Sequence, residues 1–395
     1  MTLPYRMLAL MTGAQIGTAV VQQGLGSLAP SLLTTFGLSK AQLGVSFTAL
    51  AIGSAFFTVL AGVMVDRYGE RPVVFWGGIG VGVSLLCAAL VPLYPWLVFW
   101  LFIFGIMYAA QTPAGGRAVL AWFHRNRGFA MSIRQAGVPL GGAIGGALLP
   151  AIALHANYRW ALAIGGIIGA VSAIVAAVFY VDAPRDPREP TRVRHLLRGM
   201  LSVARDPRTI FFTIACMVLA SAQTIMTAFF AITAVNEAGV TPALAAFAFA
   251  FAQLCAVGGR IAWGHLSDGL FRGDRALPLA AIAAIVAVDA FAIAHVHTGG
   301  VAWLFVFGGV LGFSAAGWNG VFSTALAEIG GAELAGSILG LGLTFIFLAN
   351  AIAPLVFGAV ADVHGLAFAW TGLGLLAVLG LVPPLLASRA FARRI

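Results

Sequence analysis

Residues 62–71 read Gly62-Val-Met-Val-Asp66-Arg67-Tyr-Gly69-Glu-Arg71, a short charged turn between two long apolar runs. Residues 264–272 read Gly264-His-Leu-Ser-Asp268-Gly-Leu-Phe-Arg272 in the same setting. Gly62 and Gly264 stand 202 residues apart in a chain of 395. The second stretch is therefore a degenerate copy of the first, at the equivalent point of a second half. Any fold proposed for this chain has to accommodate a duplicated unit.

Working outward from these turns, the chain is a succession of apolar segments. Stretches long enough to cross a bilayer, roughly 20 residues each, fall at 6–34, 42–65, 72–93, 96–123, 128–154, 159–181, 209–235, 242–267, 277–296, 301–327, 335–361 and 366–387. Composition agrees: 61% of residues are hydrophobic and only 9% charged, against roughly 25% charged in soluble domains. The first segment is read as a retained span rather than a signal peptide, because it is long and carries Gln15, Gln22 and Gln23. The spacing predicts an all-α membrane protein of twelve transmembrane helices. Its expected divisions are a six-helix bundle over 1–182, a linker rich in proline and arginine over 183–208, and a second six-helix bundle over 209–395. A parallel repeat of six-helix units is the arrangement of one large transporter class.

The basic residues orient the array. Arg6, Arg67, Arg71, Arg125, Arg127, the seven arginines from Arg185 to Arg208, Arg272, Arg275, Arg389, Arg393 and Arg394 fall on one face, and only Lys40 and Arg159 on the other. Cytoplasmic loops hold the Lys/Arg excess, so both termini and the linker are expected in the cytoplasm. The same distribution in short clusters excludes a nucleic-acid surface as the meaning of the net charge of +9. Cys87, Cys216 and Cys255 lie within apolar runs without metal-ligand spacing, so neither a disulfide framework nor a metal or cofactor site is expected. His295 and His297 read as loop residues at a helix end.

Three arginines remain, inside the spans. Arg117 lies six residues before Phe123, Arg134 seven after Arg127, and Arg260 eight before Asp268. At about 1.5 Å per residue all three sit roughly 10–12 Å in from the arginine-rich edge. Intramembrane cations are costly and read by default as functional. Of the acidic residues only Asp289 is well inside a span, and it reads as bonding a neighbouring helix. Arginine cannot shed its proton, so it needs an anion, backbone carbonyls or water. A small anionic substrate meets that need, with forked donors suited to a carboxylate. For all three a second reading stays open, snorkelling to the interface or holding a cytoplasmic latch, and for Arg117 above all, because at ideal pitch it faces away from Tyr108.

The turn GVMVDRYGER resembles the G-x-x-x-D-R-x-G-R-R signature between helices two and three of the major facilitator superfamily, and GHLSDGLFR its second copy. Tyr158-Arg159-Trp160 and Phe368-Ala369-Trp370 form a further echo between the halves. The resemblance implies helices 1, 4, 7 and 10 around a central cavity. It also implies a conformational latch at Gly62, Asp66, Arg67, Gly69, Arg71 and Asp268. With that assignment the candidate substrate-binding residues are Arg134, Arg260, Arg117, Gln15, Gln22, Tyr108, Gln223, Trp318 and Asn319. For the amides, ordinary interhelical hydrogen bonding is the competing reading. For Gly137, Gly141 and Gly145, at i, i+4 spacing, close helix packing is the preferred one.

A second resemblance bears on cargo. Trp122-Phe123 followed by Arg127-Gly128-x-Ala130 is similar to the W-F-x-x-x-R-G-x-A passage of the monocarboxylate transporter and oxalate/formate antiporter families. Gly259-Arg260 matches their substrate-carboxylate arginine on helix eight, which implies that role for Arg260. The chain departs from them in having Lys40 as its one lysine and no aspartate ahead of Arg260. The expected protein is a secondary transporter of a small, monocarboxylate-like organic anion, working by proton symport or anion exchange. It is expected to be monomeric, to lie in a bacterial cytoplasmic membrane, and to have the bilayer and the substrate, with or without protons, as partners. Two alternatives stay open: a drug or metabolite exporter, and a substrate-sensing receptor on a transporter fold. The exporter signature G-P-x-x-G-G is only approximated by Val138-Pro139-Leu140-Gly141-Gly142, and Leu101 stands where its helix-four arginine would precede Gly105.

Overall fold

The computed structural model describes residues 2–123, 127–182, 205–295 and 300–392, and all regular structure in them is helical. The first half comprises α1 (Leu3–Gly24), a 3-10 turn (Leu25–Leu28), α2 (Ala29–Phe36), α3 (Lys40–Tyr68), α4 (Glu70–Leu90), α5 (Tyr94–Tyr108), α6 (Gln111–Trp122), α7 (Arg127–His155) and α8 (Tyr158–Phe179). The second comprises α9 (Pro207–Glu237), α10 (Pro242–Asp268), α11 (Ala276–Ile293), α12 (Gly300–Ala315), α13 (Trp318–His364), α14 (Leu366–Leu379) and α15 (Val382–Ala392).

Eleven helices among the described residues are long and apolar enough to cross a membrane. The run from α1 to α2 completes a twelfth pass. It is the least apolar because its polar side chains, Gln15, Thr18 and Gln23, are buried inside the bundle rather than turned to lipid. The element α13 is two passes: Gly342 lies against Phe322 and Leu326. A straight helix of 47 residues, about 70 Å long, could not bring those positions together, so the chain doubles back between them.

Local chemistry sets the boundaries. Ser39 and Gln42 form a reciprocal capping box at the start of α3, with bonds of 3.1 and 2.9 Å. Gly69 alone separates α3 from α4, at φ 98°, a backbone setting open to glycine at little cost. Asn157 caps α8 by accepting from Arg159 and Trp160 N–H, and Thr241 caps α10.

Within the first half the helices approach through small residues, the packing device available where lipid supplies no hydrophobic drive. Gly141 and Gly145 of α7 face the backbone of α1 at Ile16 and Val20, and Gly78 and Gly82 of α4 face Ala173 and Ala170 of α8. The fourth and tenth passes are each interrupted, at Ala109–Ala110 between α5 and α6 and at Ala316–Gly317 between α12 and α13. Tyr108 and Trp318 flank these breaks, one in each half.

Candidate functional site

Where the halves meet they enclose a cavity of about 190 Å³, walled by Gln22, Phe47 and Tyr108 from the first half and by Arg260, Trp318 and Asn319 from the second, among others. A second cavity of about 330 Å³ shares Gln135, Arg260 and Asn319 with it and continues to Asp268 and Arg275 on the arginine-rich face. Together they form a passage open on that face.

Toward the opposite face the passage is sealed by contacts between the halves. Thr227 Oγ1 and Gln253 Nε2 both donate to Gln23 Oε1, at 3.2 and 3.3 Å. Gly26, in the 3-10 turn, packs directly on the Thr227 carbonyl, and Gly44 on that of Pro354. At the rim Asp362 of α13 accepts the backbone N–H of Lys40 and Ala41 through its two oxygens, each at 2.8 Å, with Lys40 Nζ at 3.8 Å. The carboxylate satisfies orphan donors of the first turn of α3 and meets the positive end of that helix. Asp362→Asn keeps the shape but removes the charge and one acceptor. The expected result is a rim that opens about five- to tenfold more often, from about 1 kcal/mol of lost charge–helix interaction. This is read as faster labelling of Ala51→Cys, on the central cavity, by an impermeant thiol reagent applied to the sealed face in a background lacking the native cysteines; unchanged labelling would show that the rim does not hold the seal.

Arg260 is buried, 6% exposed, and crosses between the halves: its Nη1 donates to the Gln135 backbone carbonyl at 2.7 Å, while its Nε has no hydrogen-bond partner among the described residues. No acid side chain lines the central cavity among the described residues. Arg134, 2% exposed, lies behind the wall rather than on it. Its Nη2 donates to Thr112 O at 2.8 Å, its Nε is unpaired among the described residues, and Gly115 leaves room for the guanidinium: a Cβ there would stand 2.7 Å from Nε. Arg134, Arg260 and the Tyr108 hydroxyl lie within electrostatic reach of one another.

The expectation for Arg117 on the passage is corrected. It sits at the arginine-rich end of the first half, its Nη1 donating to Val65 O at 2.5 Å and its Nε 3.5 Å from Glu70. Glu70 is 2% exposed, so this guanidinium has an acid of the protein's own. Sequence reasoning missed Glu70, although it stands where the signature carries an arginine, and that departure was the available signal. Asp182 accepts from the Glu70 and Arg71 N–H at 3.0 and 3.1 Å.

The other candidates divide. Gln22, Tyr108, Gln223, Trp318 and Asn319 all line the central cavity. Gln15 does not: its Nε2 donates to Tyr108 OH at 3.0 Å and positions that ring. Asn319 Nδ2 contacts Gln223 Oε1 at 3.4 Å. Among latch residues, Gly69 forms the α3–α4 turn, Gly62 faces open space on the side where a Cβ would stand, among the described residues, and Arg67 and Arg71 are exposed. The Asp66 side chain lies outside the described residues, as does most of the 183–208 linker. Asp268 binds Arg275 at 2.5 Å, and Arg275 also binds Glu328 at 2.7 Å. Asp289 is a second correction: it is buried with both carboxyl oxygens unpaired among the described residues, not bonded to a neighbouring helix. Gln23, the centre of the seal, was legible only as a polar residue in an apolar span.

Twelve passes in two halves, around a polar passage sealed at one end, define a membrane carrier. The pattern of the Major Facilitator Superfamily matches residues 11–354, and the chain belongs to that family of membrane transporters. It is similar to an uncharacterised MFS-type transporter of Mycobacterium tuberculosis, 29% identical over 91% of this chain and 80% of the relative. Shorter matches run to a probable sulfoacetate transporter of Cupriavidus necator, 30% identical over 40% of this chain and 36% of the relative, and to a hexuronate transporter of Bacillus subtilis, 27% identical over 42% and 39%. Among solved structures, a bacterial homologue of the human lysosomal transporter Spinster, inward-facing and unoccupied, superposes with a TM-score of 0.83 at 18% identity, covering 100% of this chain and 99% of that one. That likeness concerns the fold.

Proposed function

We propose that this transporter carries a small organic anion across the cytoplasmic membrane by alternating access, with the structure open toward the cytoplasm. The observation that carries the reading is Arg260: a buried guanidinium on the cavity that donates to a neutral carbonyl from the other half. An ion of this kind costs several kcal/mol to bury unless a counter-charge arrives, and a carboxylate or sulfonate cargo supplies one. The names of the sulfoacetate and hexuronate transporters support an acid cargo. Arg134, one layer back, adds positive field without direct grip. In this reading the bundles 1–182 and 209–395 rock about the cargo. The seal at Gln23, Gly26 and Asp362 opens as the charged turns at Asp66 and Asp268 close the cytoplasmic side.

A central cavity without a carboxylate among its described lining residues favours anion exchange, or entry of the acid with its own proton, over relay through a protein acid. Counterflow in proteoliposomes against a panel of organic acids and cationic dyes tests the proposal. Acids are expected to exchange and dyes not to; dye movement without acid movement would make the protein an exporter of another cargo class.

A further inference from the structure

Two hollows on the outer wall of the first half, sharing no lining residue with the passage, flank one tryptophan at the arginine-rich edge. The larger, about 510 Å³, lies between α3 and α4 and is lined by Phe57, Met64, Tyr68, Val73, Trp76 and Met107, among others. The smaller, about 260 Å³, lies on the other side of Pro72 and Trp76, between α4 and α8, and takes in Arg71 and Val178. Phe57 and Tyr68 stand eleven residues apart on α3, so the larger hollow runs about 16 Å along that helix, half of a hydrocarbon core of roughly 30 Å. It is one leaflet deep. At its edge Trp76 and Tyr68 are exposed, 65% and 53%, as such rings are at a membrane–water interface.

An apolar hollow in this place takes the hydrocarbon of any lipid, and the charges above it choose the headgroup. Each hollow has its own arginine. The Arg67 guanidinium lies over the Tyr68 ring, 5.3 Å from its centre, and Arg71 forms part of the smaller hollow's wall. Both side chains are exposed, and neither has an acid side chain in ion-pair contact among the described residues. The nearby acids are engaged elsewhere: Glu70 is buried beside Arg117, and Asp182 accepts from the Glu70 and Arg71 N–H. Four residues of chain reach at most about 14 Å, so both guanidiniums can close on one phosphodiester, whose oxygens suit their forked donors.

We propose that the first half binds one anionic diacyl phospholipid of the phosphatidylglycerol type, its phosphate between Arg67 and Arg71 and its two acyl chains on either side of Trp76. Basic pockets between transmembrane helices are a recurrent seat for anionic headgroups, and each arginine near such a charge raises affinity about fivefold. Two arginines therefore favour this lipid about twentyfold over a zwitterionic one with the same chains.

The test is native mass spectrometry of the delipidated full-length protein, titrated with palmitoyl-oleoyl phosphatidylglycerol and with phosphatidylcholine of the same chains. The wild type is expected to retain one phosphatidylglycerol at least tenfold more strongly. With Arg67→Gln and Arg71→Gln combined, that ratio is expected to fall toward one while phosphatidylcholine retention holds. Arg272→Gln, at the matching turn of the second half, is expected to keep it. Met64→Trp, which fills the larger hollow, is expected to lower phosphatidylglycerol retention about tenfold with both arginines in place. Equal retention of the two lipids by the wild type overturns the proposal. So does a ratio that survives the double change in a monodisperse protein, or one that falls as far in Arg272→Gln, since the attraction would then belong to the basic edge as a whole. Full retention in Met64→Trp removes the hollow as the seat, and cardiolipin held more than tenfold tighter than phosphatidylglycerol overturns the diacyl assignment.

Discussion

Arg260→Gln is expected to lower uptake at least a hundredfold while the protein inserts normally and its thermal midpoint holds or rises. Glutamine keeps a donor near the Gln135 carbonyl but removes the one charge among the described residues that line the central cavity. Losing a counter-ion for a desolvated carboxylate costs about 3–5 kcal/mol, because the cargo's charge is then left unpaired, and each 1.4 kcal/mol is a factor of ten. The stability half of the result has the opposite sign for the same reason. Between cargoes Arg260 is a buried cation held by a neutral acceptor, with Nε unpaired among the described residues, so taking the charge away relieves a desolvation cost. Arg260→Lys is expected to fall between, since its point charge lacks the fork. Uptake by the glutamine variant within a fewfold of wild type, at equal surface amount, would end the assignment of Arg260 to the cargo.

What could be read beforehand follows from which interactions are periodic and which are not. Twelve passes and their duplication were legible because burial in lipid imposes long apolar runs, and because the charged turn at Gly62 and Asp66 recurs at Gly264 and Asp268, where the topology repeats. The depth of Arg117, Arg134 and Arg260 was likewise a matter of counting along helices. Rotation about the helix axis was not. Arg134 and Arg260 share a depth, yet one faces the cavity and the other lies behind Thr112, and the breaks at Ala109–Ala110 and Ala316–Gly317 reset the register that a straight helix would keep. Nor could pairing be counted: Arg117 finds Glu70 from another helix, and Asp362 finds the start of α3 across 322 residues of sequence. Those contacts depend on how the bundles tilt against each other, which hydrophobic pattern constrains only loosely.

Gly26→Val is expected to abolish uptake while leaving a folded protein held open on the face that is sealed here. Gly26 belongs to the 3-10 turn Leu25–Leu28, and a methyl group built on it would overlap the Thr227 backbone oxygen, with the Thr227 carbonyl carbon next, 2.7 Å away. The neighbour is backbone of α9, not the end of a flexible side chain, so nothing local can yield; the halves themselves would have to separate, by about 2 Å to restore an ordinary carbon–oxygen contact. That separation breaks the Gln23 bonds to Thr227 and Gln253, already at 3.2 and 3.3 Å, and draws Asp362 away from Lys40 and Ala41. Overpacking at a well-fitted contact costs about 1–3 kcal/mol, and here the whole cost falls on one of two interconverting states, so the smaller Gly26→Ala is expected to shift the equilibrium by about ten- to a hundredfold. Each half keeps its own packing, because the overlap lies between bundles, so the thermal midpoint should drop little. The readouts are uptake, and labelling of Gln253→Cys by an impermeant thiol reagent, expected to be slow in the parent and fast in Gly26→Val. Normal uptake and slow labelling in the valine variant would mean that the carrier closes this face without bringing the turn against α9, and the seal would have to be sought elsewhere.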